Sequence, residues 1–442
     1  MKITVKTLAT AAAVLALAGV ANAATVEING YGASAQYPYW KAMTKKFLED
    51  VAGCSKIAPN DVKTAVTSDD KHFIAEGKSC TAYGNDNITI RYSGIASAES
   101  VRSLMGTTNP DSCPTAYQRK VAGSVAAPNT KVCKTIDFGA SDVAGDSFGQ
   151  TTKGATLGPM GTDYVTFTAN AEDTSALTPA NPLVVPFAFF VNKAVTKSVC
   201  NAGSPVNAGN YCQVETDCGG TIGTTTYCDG STQKTIDNIT RVQAVNLFNG
   251  TVNNWADFGA NYASKPVVTC MRHAGSGTQA AFEKTVMSGG NAWGGNIPVD
   301  QVAGRTYFGK SSGDLIKCVN GNSVASPNGN ATVAAIGFAD ADQPLGVANT
   351  SQNVVRINYN GVAPSRINIR NGIYDYWTTQ WIYQVAGSEK PIVNDMITFA
   401  SDPANIPADK AGMWASAAEM KFNKFTDGEF IGFYGAATEV LP

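Results

Sequence analysis

Histidine is the scarcest reactive side chain in this sequence: His72 and His273 are the only two in 442 residues. That leaves little for histidine-dependent nucleophilic or general-base chemistry. Ser276 lies in Gly-Ser-Gly rather than the Gly-x-Ser-x-Gly of a nucleophile elbow, and no lysine follows Gly277 to make a nucleotide phosphate loop. An enzyme is therefore not expected. Charge is also sparse, at 15% of residues, with 33 basic against 35 acidic side chains. Without a concentrated basic face, a nucleic-acid partner is not expected either. Beyond the first 23 residues no apolar run is long enough to span a bilayer; Pro182 to Val191 has the length of a buried strand. No cofactor is expected. Cys200, Cys212, Cys218 and Cys228 lack the Cys-x2-Cys spacing of a zinc site.

The N-terminus has the form of a secretory signal. Lys2 and Lys6 precede the apolar run Ala11 to Val20, and Ala21-Asn22-Ala23 supplies a small-residue cleavage site. The mature chain is expected to start near Ala24, leaving roughly 419 residues, enough for two domains. Setting aside Lys2 and Lys6 leaves 31 basic and 35 acidic groups, so an anionic ligand would be drawn by local geometry rather than by the overall field. Ten cysteines, all after the signal, form an even set suited to an oxidising compartment. Spacing does not fix connectivity. The working pairs are Cys54 with Cys80, Cys113 with Cys133 and Cys270 with Cys318, the other four stapling one excursion.

Strands and helices alternate. Val26 and Ile28 suggest a strand, and Tyr37, Trp40, Phe47, Leu48 and Val51 share one face of a helix. The same order recurs around Ile88-Thr89-Ile90 and around Val267-Val268. This predicts an α/β architecture with ligands at the carboxyl ends of strands. Met105 to Lys134 and Asn201 to Gln233 lack apolar periodicity and are expected to be surface insertions held by disulfides. The aromatic cluster Tyr374, Tyr376, Trp377, Trp381 and Tyr383 is expected to be core.

Chemistry concentrates at Arg272-His273-Ala274-Gly275-Ser276-Gly277-Thr278. Small residues at a strand-to-helix turn let backbone N–H groups approach an anion, and Arg272 adds a fork of donors. Ser276 with Gln279 also fits a plain capping box. Three further turns repeat the device: Ile28-Asn29-Gly30-Tyr31-Gly32-Ala33-Ser34, Arg91-Tyr92-Ser93-Gly94-Ile95-Ala96-Ser97 and Asp137-Phe138-Gly139-Ala140-Ser141-Asp142.

In order and wording these segments resemble the periplasmic phosphate-binding proteins of bacterial ABC transporters, within the type II periplasmic-binding-protein superfamily, with weaker echoes through Val184-Val185-Pro186-Phe187 and Ala335-Ile336-Gly337-Phe338. The resemblance implies two lobes joined by a strand hinge, each a mainly parallel sheet flanked by helices. Residues 24–185 and 355–442 would form lobe one, and 186–354 lobe two, with the cysteine-rich insertion at about 201–233. It also implies a phosphate site of Ser34, the Ala35 N–H, Ser97 and Asp142 from lobe one, with Arg272, Ser276, Gly277 and Thr278 from lobe two. Asp142 would accept the proton that phosphate carries and sulfate lacks; the plain alternative is a helix cap. Where the family pattern has an aspartate beside the arginine, partnering it, this chain has Ala274, preceded by His273, which leaves arsenate or a phosphonate as related ligands. The implied protein is an exported monomer, periplasmic or secreted, handing phosphate to an ABC permease in the inner membrane. The alternative is an extracellular or surface interaction protein that keeps the scaffold without transport.

Overall fold

The computed structural model describes residues 24–155, 164–287, 305–321, 333–424, 426–428 and 432–433; the expected signal segment, 1–23, lies outside them. Among the described residues no helix is long and apolar enough to cross a membrane.

Two principal sheets organise the chain. The first runs, in spatial order, Leu177–Ala180, Trp381–Val385, Phe138–Ser141, Thr25–Gly32, Asp86–Gly94, His72–Cys80 and Lys63–Val66. The second runs Asn238–Ile239, Val354–Tyr359, Leu183–Asn192, Ala335–Asp340, Val268–Arg272 and Thr306–Gly309, with Trp377–Thr379 and Ala415–Ser416 also pairing onto Leu183–Asn192. The α/β character is as expected, but both sheets are mixed rather than mainly parallel. Short connections force this: 67–71 and 81–85 are too brief for a crossover, so Lys63–Val66, His72–Cys80 and Asp86–Gly94 form an antiparallel meander.

Each sheet nevertheless keeps a parallel trio. Thr25–Gly32 lies between Asp86–Gly94 and Phe138–Ser141. Val268–Arg272 lies between Thr306–Gly309 and Ala335–Asp340. Six carboxyl ends of parallel strands result, and these position the site.

Helix Tyr37–Asp50 starts with Pro38 in its first turn, where the missing N–H costs nothing, and buries Tyr37, Tyr39, Trp40, Met43, Phe47 and Leu48. Val51, expected on that face, is the C-cap and is exposed, because the helix stops one residue short of it. The buried rings continue through Tyr39 stacked on Trp414 at 5.2 Å and Phe282 on Phe338 at 4.0 Å. Tyr374, Tyr376, Trp377 and Tyr383 are buried, as expected of core. Leu183–Asn192 is buried along its whole length, in keeping with its unbroken apolar sequence.

Five disulfides join Cys54–Cys80, Cys113–Cys133, Cys200–Cys218, Cys212–Cys228 and Cys270–Cys318. The three working pairs hold, and the remaining four cysteines staple the 201–233 excursion. Cys200, Cys212 and Cys218 crowd together, but each sulfur is spent in a disulfide. The 105–134 insertion is more regular than expected: Gln118–Ala122 and Lys131–Thr135 form a hairpin. Five cross-links are consistent with an oxidising compartment.

Unreduced, denatured protein should react with no thiol reagent, since no cysteine is free. Removing the Cys270–Cys318 pair by alanine substitution should lower the unfolding free energy by about 4 kcal/mol, the loop-entropy effect of a closure this long. A urea unfolding curve shifted by less than about 1 kcal/mol would contradict the cross-linking role.

Candidate functional site

The small residues of the sequence motifs sit mostly in strand ends, not in turns. Thr25–Gly32, Asp86–Gly94 and Phe138–Ser141 each run to or through them. Their first duty is packing. A Cβ on Gly139 would come 2.5 Å from the Ser100 carbonyl oxygen, so helix Ala98–Met105 rests directly on the strand backbone. The hydroxyls and charges then follow just beyond the strand ends.

From the first sheet, Ser34 is half-buried and Ala35 fully buried. Next to them Gln36, which sequence reasoning passed over, donates from Nε2 to the Ser141 carbonyl at 2.9 Å and accepts from Trp40 Nε1 at 2.9 Å. Ser97 Oγ donates to Asp142 Oδ2 at 3.0 Å. The Thr378 hydroxyl holds the Asp142 carbonyl at 2.5 Å. Asp142 is not a helix cap: the following short helical turn, Gly145–Ser147, is capped by Ala144. Burial pushes its carboxyl up to about 7, against the opposing effects of the Ser97 hydrogen bond and of Arg272.

From the second sheet, Arg272 is fully buried. Its Nε donates to the Gly309 carbonyl at 3.2 Å, Nη1 to Ser312 Oγ at 3.0 Å and Nη2 to the Lys310 carbonyl at 3.0 Å. Nη1 and Nη2 both reach Ser34 Oγ, across the crevice between the sheets, at 3.4 Å. Burial draws the guanidinium down to about 10, so it remains cationic at neutral pH.

The capping box read at Ser276 and Gln279 does not form. Ser276 is the N-cap of Gly277–Phe282 but makes no side-chain cap bond, and Gln279 Oε1 instead accepts from the Arg272 N–H at 3.2 Å. The α-helix is only six residues, continuing as a π turn over Glu283–Met287, so its dipole is a minor contributor.

The crevice is tight at Gly277. A Cβ there would fall 2.3 Å from Ser97 Oγ and 2.7 Å from Asp142 Cβ, and the Ala98 N–H donates across to the Gly275 carbonyl at 3.1 Å. The expected residues thus form two touching groups, Ser34 with Arg272 and Ser97 with Asp142 and Gly277, linked by the attraction between Asp142 and Arg272. Ser276 and Thr278 are buried beside them. Buried polar atoms without a hydrogen-bond partner in this region include Asp142 Oδ1, Thr278 Oγ1 and Gln279 Nε2, with His273 Nδ1 and Asp340 Oδ1 nearby. An acceptor, a hydroxyl and a donor left unpaired together suit a small ligand with several oxygens and a proton.

Two contributors were missed. The turn after Thr306–Gly309 supplies the Lys310 carbonyl and Ser312, and Asp340 ends Ala335–Asp340. Gly304 to Ser311 even fits the Gly-x4-Gly-Lys-Ser pattern, a signal that would have drawn attention there. However, residues 306–309 are strand rather than loop, so the pattern does not make a phosphate loop.

The histidines serve packing. His72 Nδ1 meets Ser93 Oγ at 2.7 Å, but Ser93 is fully buried, and burial pulls the ring down to about 4. His273 lies against Phe167 at 4.8 Å, and burial, aided by Arg272, pulls it down to about 3.

No family model and no curated protein matches the sequence. Solved structures do. A Clostridium perfringens chain assigned as a phosphate ABC transporter substrate-binding protein, solved with phosphate bound, is 14% identical with a TM-score of 0.47, covering 88% of this chain and 100% of its own. An ABC-type phosphate transport receptor from Vibrio cholerae is 13% identical with a TM-score of 0.41, covering 85% and 94%. A phosphate-binding protein from Stenotrophomonas maltophilia is 10% identical with a TM-score of 0.41, covering 92% and 96%. At such values the likeness does not define a ligand, and this chain's own side chains must do so.

Two measurements check the site. Because both rings are buried and neutral, neither imidazole resonance should titrate between about pH 8 and pH 5; a midpoint near the ordinary value for either would mean that ring is solvated. Gly277→Ala should hold the crevice apart and weaken oxyanion binding by roughly five- to 150-fold, an overpacking cost of about 1–3 kcal/mol. Unchanged affinity would mean that the Ser97, Asp142 and Gly277 contact plays no part in binding.

Proposed function

We propose that this protein captures inorganic phosphate, or a closely related protonated oxyanion, in the crevice between its two sheets. Ser34, the Ala35 N–H, Ser97 and Asp142 would act from one side, and Arg272, Ser276, Gly277 and Thr278 from the other. The observation that carries the reading is the set of buried, unpartnered polar atoms, Asp142 Oδ1, Thr278 Oγ1 and Gln279 Nε2, close to a fully buried guanidinium. A fully deprotonated oxyanion offers acceptors only, and against an ionised Asp142 it meets repulsion in a poorly solvated site. Phosphate brings a proton that the carboxylate can accept.

The proposed division into lobes keeps Leu183–Asn192 as the crossing segment, but its return falls after Val354–Tyr359 rather than at 355, because that strand pairs within the second sheet and the chain rejoins the first only at Trp381–Val385. A ligand touching both sides would favour the closed arrangement through the contacts it adds there. The exported, disulfide-rich character supports a periplasmic or secreted monomer that passes its anion to an inner-membrane ABC permease. The non-transport alternative is separated from this by phosphate uptake in cells lacking the gene: unaltered uptake under phosphate limitation supports the alternative.

The binding test is calorimetry with phosphate and sulfate. Asp142→Asn should raise sulfate binding relative to phosphate, because the amide can donate where the carboxylate could only repel. In the wild type the preference for phosphate should weaken as pH falls through about 7, where the buried carboxyl takes up a proton and becomes a donor. A sulfate-to-phosphate ratio indifferent to both changes would remove Asp142 as the reader of the ligand's proton.

A further inference from the structure

Arg272 ends the middle strand of the second parallel trio, paired with Gly309 on one side. On the other side Cys270 pairs with Gly337, and this register carried forward places Asp340 just beyond the level of Arg272. Asp340 also pairs in the sheet with Phe187 of the crossing strand, and the next residue, Ala341, donates its N–H to the Pro186 carbonyl at 2.9 Å. Its side chain is fully buried. One carboxyl oxygen accepts from Gln343 Nε2, and Oδ1 has no hydrogen-bond partner. Ser34 and Ser312, both of which accept from Arg272, line the same cavity of about 600 Å³ as Asp340. The Ser312 hydroxyl, which accepts from Arg272, also bears on Asp340, so it joins the guanidinium to this carboxylate without a direct ion pair.

We propose that Asp340 is a counter-charge of Arg272 acting across Ser312, and a specificity-determining residue for the oxyanion, weakening anion capture when it is ionised and ceasing to do so when it is neutral. The proposal rests on the oxyanion reading of the same crevice. An ionised carboxylate here shares the guanidinium's charge and repels an arriving anion; a protonated one does neither.

The groups around Asp340 bear on its charge from every side. Asp342 faces it and is ion-paired to Lys410 at 2.6 Å and hydrogen-bonded to Trp414 Nε1 at 3.1 Å. Ser312 and Asp314 approach from the helix Ser312–Val319, Gln343 from the following turn and Arg272 from the neighbouring strand. Burial, followed by the charge of Asp342, pushes the Asp340 carboxyl up. Its neutral form therefore persists well above the ordinary carboxyl range, and its ionisation belongs to the pH range in which the protein would bind its ligand.

The test compares wild type and Asp340→Asn by calorimetry with phosphate and with sulfate. Asparagine keeps the shape and removes the charge. At about pH 8.5 the variant should bind either anion about tenfold more tightly than wild type, and at about pH 5.5 the two should agree within about twofold. Asp142 titrates in both proteins, so the difference between them isolates Asp340. A variant-to-wild-type ratio equal at both pH values overturns the proposal, since a purely structural role would not follow pH. A ligand-free measurement decides the same link: carbon-13 NMR of the Asp340 carboxyl should show a higher midpoint in Arg272→Gln than in wild type, and an unmoved midpoint overturns it. Failure of wild type to bind either anion would instead overturn the oxyanion reading, leaving the NMR shift to decide whether Asp340 is tied to Arg272.

Discussion

A fully buried guanidinium is the constraint from which the rest of this structure follows. Removing such an ion from water costs several kcal/mol unless its donors are met and its charge is balanced. No single loop does this for Arg272. Two carbonyls and a hydroxyl come from the turn after Thr306–Gly309, a second hydroxyl comes from Ser34 of the other sheet, and the balancing carboxylates come from Asp340, Asp142 and Asp314. This is why the parallel trio matters: only where neighbouring strands end side by side can carbonyls, hydroxyls and a carboxylate converge on one side chain without a long loop.

The same logic explains the two-sheet arrangement and its crossing strand. Leu183–Asn192 pairs near its start with Trp377–Thr379 and Ala415–Ser416, and further along with Ala335–Asp340 and Val354–Tyr359. Through Thr378 it neighbours the segment holding Asp142, and through Phe187 it pairs with Asp340. Two of the three carboxylates bearing on the guanidinium, Asp142 and Asp340, are thus tied to this one strand.

How much of this was legible in the sequence depended on whether the signal was local. Strand followed by small residues followed by helix is a local pattern, and it located the ends carrying Ser34, Ser97, Asp142 and Arg272. Cysteine pairing followed correctly for three of five bridges. The parallel character of the sheets was overstated because strand direction depends on connection length, although Gly84-Asn85, both at positive φ, does mark the turn at 81–85. Ser312 and Asp340 were missed for a different reason. Each is an ordinary residue whose importance comes from lying beside Arg272, separated from it by 40 and 68 positions of chain, a relation visible only once the strand order is known. The small residues were found but partly misread: Gly139 serves first to let a helix lie on the sheet.

The distances around Arg272 bear on how the proposed anion would enter the crevice. Its contacts to Gly309, Lys310 and Ser312, at 3.0–3.2 Å, lie on its own side of the crevice and are of ordinary hydrogen-bond length. Its two contacts to Ser34, at 3.4 Å, are long and shared by one hydroxyl, which makes them the weakest. An oxyanion arriving between the sheets would therefore take the place of Ser34 on the guanidinium, while Ser34 turns to donate to the anion itself. On the proposed reading the guanidinium would keep its anchors, and the crevice would exchange two long cross-sheet contacts for charge-assisted bonds.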